Sequence, residues 1–221
     1  MKNPKNLGIF DTLLQLPLLR GASKMRLSEI VGRFKLHFLK FTPGETVVVP
    51  GQECTSMMFL LNGSVRLTAQ SADGELRVSQ TLQAPQVISP DHLFGLMTQY
   101  PARVTAVDTV GIMEISKEEY RRMLAMDHVF LFNYLNAVCS LSQRSASGLL
   151  SIAAGSQTER LAYWLTTLTQ PGATDIELTS DSRDLHQVLG MTAAALRTAA
   201  EHLGVALPDA RTLRAPSRPT L

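Results

Sequence analysis

The chain has 221 residues, 45% of them apolar and 18% charged, with a net charge of +2. That composition fits a globular chain of one large domain or two ordinary ones, without a low-complexity tract, and the net charge by itself predicts no partner. No apolar run reaches the ~18 residues of a membrane span. Met1–Phe10 carries lysines without an uninterrupted apolar stretch, so no secretory leader is expected and the expected location is cytoplasmic. Cys54 and Cys139 stand far apart without a CxxC. That spacing offers neither a disulfide framework nor a cysteine-only metal or iron–sulfur centre, and two free thiols are expected.

Taken in chain order, Phe10–Leu19 and Ser28–Phe38 read as helices, the second with Ile30, Val31, Phe34 and Phe38 near helical spacing. From Phe41 to Ile115 the texture becomes short β-rich runs: Thr46–Val49, Met57–Leu61, Ser64–Ala69, Leu76–Leu82, Val104–Val107 and Gly111–Ile115. Pro43-Gly44, Pro50-Gly51, Asn62-Gly63 and Asp73-Gly74 punctuate them. Asp73-Gly74 between two alternating runs is the strongest hairpin signal, because a type I′ turn needs positive φ. Many short, evenly spaced strands predict a small barrel or sandwich.

Lys117–Leu150 reads as one long helix behind a Ser116/Glu119 capping box. Leu131, Leu135, Val138, Ser142, Ser145 and Leu149 alternate at spacings of four and three. Such a stripe fits a dimer seam, or else a face packed on the chain's own barrel. The region Gly155-Ser156 reads as a hinge. Thr158–Leu168 is helical, and Pro171-Gly172 closes it. Asp181 and Asp184 resemble a capping box for a short helix through Leu189, stopped by Gly190. Thr192 then caps a helix Ala193–Leu203, which Gly204 ends. A helix, a short Gly-containing turn and a second helix is the helix-turn-helix signature. From Ala146 onward there are 6 Arg, no Lys and 7 acids, so this segment carries −1 and lacks the general basicity that favours phosphate.

Two motifs resemble the CRP/FNR family of transcription regulators. Pro43-Gly44-Glu45, Gly51 and Met58-Phe59-Leu60-Leu61-Asn62-Gly63-Ser64-Val65 resemble its β-roll framework. Asp184-Leu185-His186-Gln187-Val188-Leu189-Gly190-Met191-Thr192 resembles the segment that precedes its recognition helix. The order of parts also matches over nearly the whole chain. The resemblance implies an α+β chain: an N-terminal double-stranded β-helix (jelly-roll) sensor domain over 1–116, a long dimerisation helix over 117–150, and a C-terminal winged helix-turn-helix over 151–221. It implies double-stranded DNA, a second copy of the chain and a small-molecule effector as partners, with no membrane, no metal and no evident cofactor.

The departures from the family are as informative. Its phosphate cassette carries Gly-Glu at the start of a short helix and Arg-Ser about ten residues on. Here the stretch is Ser89-Pro90-Asp91-His92-Leu93-Phe94-Gly95, and the arginine position falls on Tyr100. Asp91, His92, Leu93, Tyr100 and Arg103 are the candidate effector-pocket residues. Without a charge-assisted pair to phosphate, cAMP is not the expected ligand. In the recognition helix, Ala193-Ala194-Ala195-Leu196 replaces the family's base-reading Arg-Glu-[ST]-Val, and alanine can only touch a thymine methyl. Ser182, Arg183, Thr192, Arg197, Thr198, Arg211 and Arg214 are the candidate DNA contacts. An enzyme is not expected: His37, His92, His128, His186 and His202 are scattered, and no nucleophile elbow or P-loop occurs. The alternative reading is a dimeric sensor or interaction module of the same family without specific DNA binding.

Overall fold

The computed structural model describes residues 9–219, so the leader-peptide reading of Met1–Phe10 falls almost wholly outside the described residues. These residues form two compact units, each with its own core.

The first unit takes residues 9–65, 83–101 and 105–140. It opens with α1 (Ile9–Gln15), a 3-10 turn at Pro17–Leu19 and α2 (Lys24–Arg33). The Ser23 hydroxyl caps α2 by accepting from the Arg26 N–H at 3.2 Å. The predicted helix Ser28–Phe38 is corrected at its C-terminal end. Phe34 is already extended, and Leu36–Phe41 is strand β1. Its backbone finds a full antiparallel partner, and that ladder overrides the helical spacing of Phe34 and Phe38.

Strands β2 (Thr46–Val48), β3 (Ser56–Asn62), β4 (Ser64–Gln70), β5 (Leu76–Gln83), β6 (Gln86–Ile88), β7 (Ala102–Ala106) and β8 (Val110–Ser116) follow. One sheet runs β1-β8-β3-β6. Its register aligns Phe59 of β3 with Met113 of β8 and with Val87 of β6. Met57 to Leu60 are all buried, so β3 is covered on both faces. Gly63 at φ +78° makes the β3–β4 corner. A Cβ there would stand 2.5 Å from the Thr109 carbonyl, so only glycine fits.

Helices α3 (Lys117–Met126) and α4 (His128–Ala154) replace the single predicted helix. Asp127 breaks it at φ −140°, ψ 117°, and its carboxylate accepts from the Val129 N–H at 2.8 Å. The break is therefore a new N-terminus, capped by an aspartate. Phe130 and Tyr134 are buried, while Leu135 and Leu149 on the alternating stripe are 42% and 66% exposed.

The second unit takes residues 66–82, 102–104 and 141–219. After Ala154 the chain turns through Gly155 into α5 (Gln157–Leu168), opened by a Ser156/Glu159 capping box. Strand β9 (Thr174–Ser180), α6 (Leu185–Val188), α7 (Ala193–Leu203), β10 (Ala206–Asp209) and β11 (Thr212–Ser217) complete it. Asp184, not Asp181, is the N-cap of α6, and its side chain makes no capping bond. The Asp181 N–H instead donates to the Glu75 carbonyl at 2.9 Å, which removes it from the helix. Gly190 (φ +60°), the Thr192 cap and Gly204 (φ +64°) stand as the sequence predicts.

Leu161, Ala162 and Leu165 of α5 are buried, as are Leu196, Ala199 and Ala200 of α7, and the two helices pack together. β9 alternates, burying Ile176, Leu178 and Ser180. It pairs antiparallel with β11 on one side and β5 on the other. Gly148 of α4 is buried against α5, where a Cβ would run into the Thr167 hydroxyl. Leu161→Ala is expected to lower stability by about 2–5 kcal/mol, because it empties a fully buried site. A urea melt with a lower midpoint and an unchanged slope checks it.

Candidate effector site and candidate nucleic-acid interface

Ser89, at φ 44°, starts the stretch that corresponds to a phosphate cassette, and Pro90–His92 form one 3-10 turn. Too short to present a row of free N–H groups, this turn is stabilised by side chains. The Asp91 carboxylate lies 3.2 Å from Nδ1 of its own neighbour His92. Burial alone would raise the Asp91 carboxyl, but the hydrogen bond and charge of His92 bring it below its usual value. The same bond, working against burial, raises the His92 imidazole. Leu93 is fully buried.

Tyr100 is 2% exposed. Its backbone is fixed by the Tyr100 N–H to the Gln52 carbonyl and the Gly51 N–H to the Tyr100 carbonyl, both at 2.9 Å. Its hydroxyl donates to the Ser56 carbonyl at 3.5 Å. Burial, with the Cys54 thiol alongside, holds that hydroxyl protonated far above its ordinary range. Burial likewise pushes the Cys54 thiol up. Tyr100 is therefore a neutral, buried phenol.

The surrounding side chains are aromatic. Phe94 meets Tyr134 edge-on with centroids 5.7 Å apart, and Tyr134 meets Tyr120 edge-on at 5.8 Å. The Tyr134 hydroxyl donates to the Pro90 carbonyl at 3.1 Å, so α4 touches the 3-10 turn directly. Burial pushes the Tyr134 hydroxyl up to about 12. Lys117 places its ammonium 5.5 Å from the Phe94 ring centre. Phe94, Tyr120 and Tyr134 do not stand out in the sequence. The i, i+4 spacing of Phe130 and Tyr134 is the signal that marks a second packed face on this helix. Asp91, His92, Leu93 and Tyr100 lie in the first unit. Arg103 lies in the second, exposed on β7 between buried Ala102 and Val104.

In the second unit, α6, the Gly190 turn and α7 present the other candidates. The Thr192 hydroxyl accepts from the Ala195 N–H at 3.2 Å, which leaves its own proton available to a ligand. Thr198 turns its hydroxyl back onto the Ala194 carbonyl at 3.2 Å. Arg197 is exposed, and among the described residues no hydrogen bond or ion pair engages its guanidinium. It lines a cleft of about 300 Å³ with Asp184, His186, Leu207 and Asp209.

Arg211 sits near that cleft but is tied down, Nη1 donating to the Asp181 carbonyl at 2.9 Å and Nε 3.6 Å from Asp184. Arg214 lines a different cavity, with Arg66, Asp175 and Glu177, and pairs with Glu177 at 2.7 Å across the β9–β11 register. The Ser182 hydroxyl donates to the Glu75 carboxylate, and Arg183 is exposed beside it. The cleft thus gathers Arg197 and leaves Arg214 elsewhere. Among the described residues no cluster of His, Cys, Asp and Glu is arranged to hold a metal ion.

The family model of the cyclic nucleotide-binding domain matches residues 38–127. The cAMP-activated global transcriptional regulator CRP of Haemophilus influenzae is 22% identical over 161 residues, which cover 70% of this chain and 71% of that protein. The Catabolite Activator Protein of Thermus thermophilus, 18% identical, superposes with a TM-score of 0.52 over 90% of this chain and 93% of its own. The sensor domain of the transcriptional regulator DNR from Pseudomonas aeruginosa, also 18% identical, gives 0.51 over 60% of this chain and 88% of its own. At these identities the superpositions show a shared fold. Residues 38–127 are thus a domain of the cyclic nucleotide-binding type, and over most of its length the chain is similar to a CRP-type regulator and shares its fold.

Proposed function

We propose that the chain is a DNA-binding transcription regulator of the CRP/FNR type, working as a cytoplasmic homodimer rather than as an enzyme, with an effector other than cAMP. The observation that carries this reading is the free Arg197 guanidinium on the exposed face of α7, behind a capped helix–glycine–helix turn. In this reading α5 to β11 form a winged helix-turn-helix, and the division into 1–116, 117–150 and 151–221 describes sensor, dimer helix and DNA-binding parts. Among the described residues no helix is long and apolar enough to cross a membrane. Thr192, Ser182 and Arg183 supply phosphate contacts, and Arg197 reads the groove. Ser182, Arg211 and Arg214 reach phosphate only by leaving their acidic partners.

One observation favours the alternative of a family member without specific DNA binding. Ala193 to Ala195 give α7 no hydrogen-bonding group at its tip. A mobility-shift titration decides between the two. Arg197→Ala is expected to cost about 1–3 kcal/mol on the preferred site if the guanidinium reads guanine. If it touches only phosphate, the log–log salt slope shrinks by about one. No shift of any genomic fragment at low salt would establish the alternative.

The exposed Leu135 and Leu149 are the seam on which a second copy closes. Leu135→Asp is expected to halve the mass seen by light scattering, because an unpaired charge at such a seam costs several kcal/mol. A wild type that is monomeric at micromolar concentration would refute the seam.

With Tyr100 filling the phosphate position, cAMP and cGMP are expected to bind more weakly than about millimolar. Calorimetry that returns micromolar binding would refute the reading of the cassette.

A further inference from the structure

Residues 66–82 lie inside the stretch that matches a cyclic nucleotide-binding domain, yet they fold with the second unit. Strand β5 adds itself to the outer edge of β9. Leu76 pairs with Ser180, Arg77 with Thr179, Val78 with Leu178 and Ser79 with Glu177, before the register shifts to reach Thr81 and Thr174. Side chains fasten both ends of this ladder. At one end the Gln80 amide oxygen accepts from the Gln170 N–H at 2.7 Å, and Arg66 donates to the Asp175 carbonyl at 3.1 Å. At the other end the Asp181 N–H donates to the Glu75 carbonyl at 2.9 Å, and the Ser182 hydroxyl donates to the Glu75 carboxylate.

The second end matters most, because it brings the tip of the β4–β5 hairpin onto the residues just before α6. That tip is acidic, with Asp73 and Glu75. The Asp73 carboxyl is held below its usual range chiefly by the Ser71 hydroxyl, and Arg183 is among the charges that add to this. A carboxylate is an acceptor-only anion, as a phosphate oxygen is, and it takes the same donors. Two carboxylates at this place also repel a polyanion.

We propose that the β4–β5 hairpin is a built-in competitor of DNA, its ladder to β9 holding the Glu75 carboxylate on the Ser182 hydroxyl where a backbone phosphate would otherwise sit. The proposal rests on the DNA-binding reading above. DNA then engages fully only when the hairpin tip withdraws. Because residues 66–82 are continuous with β3 and β6 of the sensor stretch, whatever moves those strands acts on the competitor.

The test uses the full chain with Cys139→Ser, which removes the exposed native thiol. Arg77→Cys and Thr179→Cys are added at paired positions. Oxidation is expected to cross-link the two strands in the free protein, seen as one joined peptide by mass spectrometry. The oxidised form is expected to bind genomic DNA fragments at least about tenfold more weakly than its own reduced form at low salt. Glu75→Gln in the wild-type background is expected to bind about three- to tenfold more tightly, as removal of one opposing charge implies.

Failure of the cross-link to form would overturn the ladder. Equal or tighter DNA binding by the oxidised form, or no gain with Glu75→Gln, would overturn the competition while leaving DNA binding in place. A cross-link that forms in a protein whose reduced and wild-type forms both ignore DNA would instead overturn the DNA-binding reading, and the competition with it.

Discussion

Strand β9 has a backbone that must be satisfied on two sides, and the second unit is organised around how this is done. On one side stands β11, itself paired with β10. On the other stands β5, supplied from over ninety residues earlier in the chain. An unpaired edge here would leave a row of open donors and acceptors, a template for association with other chains. Covering it with β5 removes that liability. It also ties a hairpin of the β-rich stretch to the sheet that supports α7. The compact units therefore do not follow the order of the chain, and the segment 66–82 belongs to the C-terminal half in space.

The first unit meets a different constraint, the filling of a β-sheet interior with large rings. Tyr100, Tyr120 and Tyr134 bring large rings to the region, with Phe59 and Phe94 at their edges. Each ring must place its hydroxyl. Tyr100 and Tyr134 find backbone carbonyls, whereas the buried Tyr120 hydroxyl has no hydrogen-bond partner among the described residues. Leaving one such group unsatisfied costs roughly 1–3 kcal/mol.

Most strands were legible from turn chemistry alone, because Gly-containing corners and alternating runs are local signals. So were the Thr192 cap and the Gly190 and Gly204 stops. Strands β1 and β6 were not. β1 carries helix-like spacing, and β6 has three residues, so only their sheet partners define them. The break at Asp127 was hidden for the opposite reason. An aspartate inside a helix-compatible run shows its capping role only when the neighbouring backbone opens. At the candidate sites, the identity of Tyr100 and the emptiness of Ala193 to Ala195 were readable. The partners of Arg211, Arg214 and Ser182 were not, since Asp184, Glu177 and Glu75 reach them through tertiary pairing.

Gly148 shows how closely two demands are placed on one turn of α4. It is the point where α4 lies against Thr167 of α5 with no room for a methyl group. The stripe residues Ser145 and Leu149 flank it on the same helix, and Leu149 is open to solvent. Leu149, one position on, points about 100° round the helix from Gly148, so one turn carries an outward face and an inward face at once. A side chain at position 148 would meet Thr167, so the same turn that shows Leu149 to solvent also fixes how closely α4 and α5 approach.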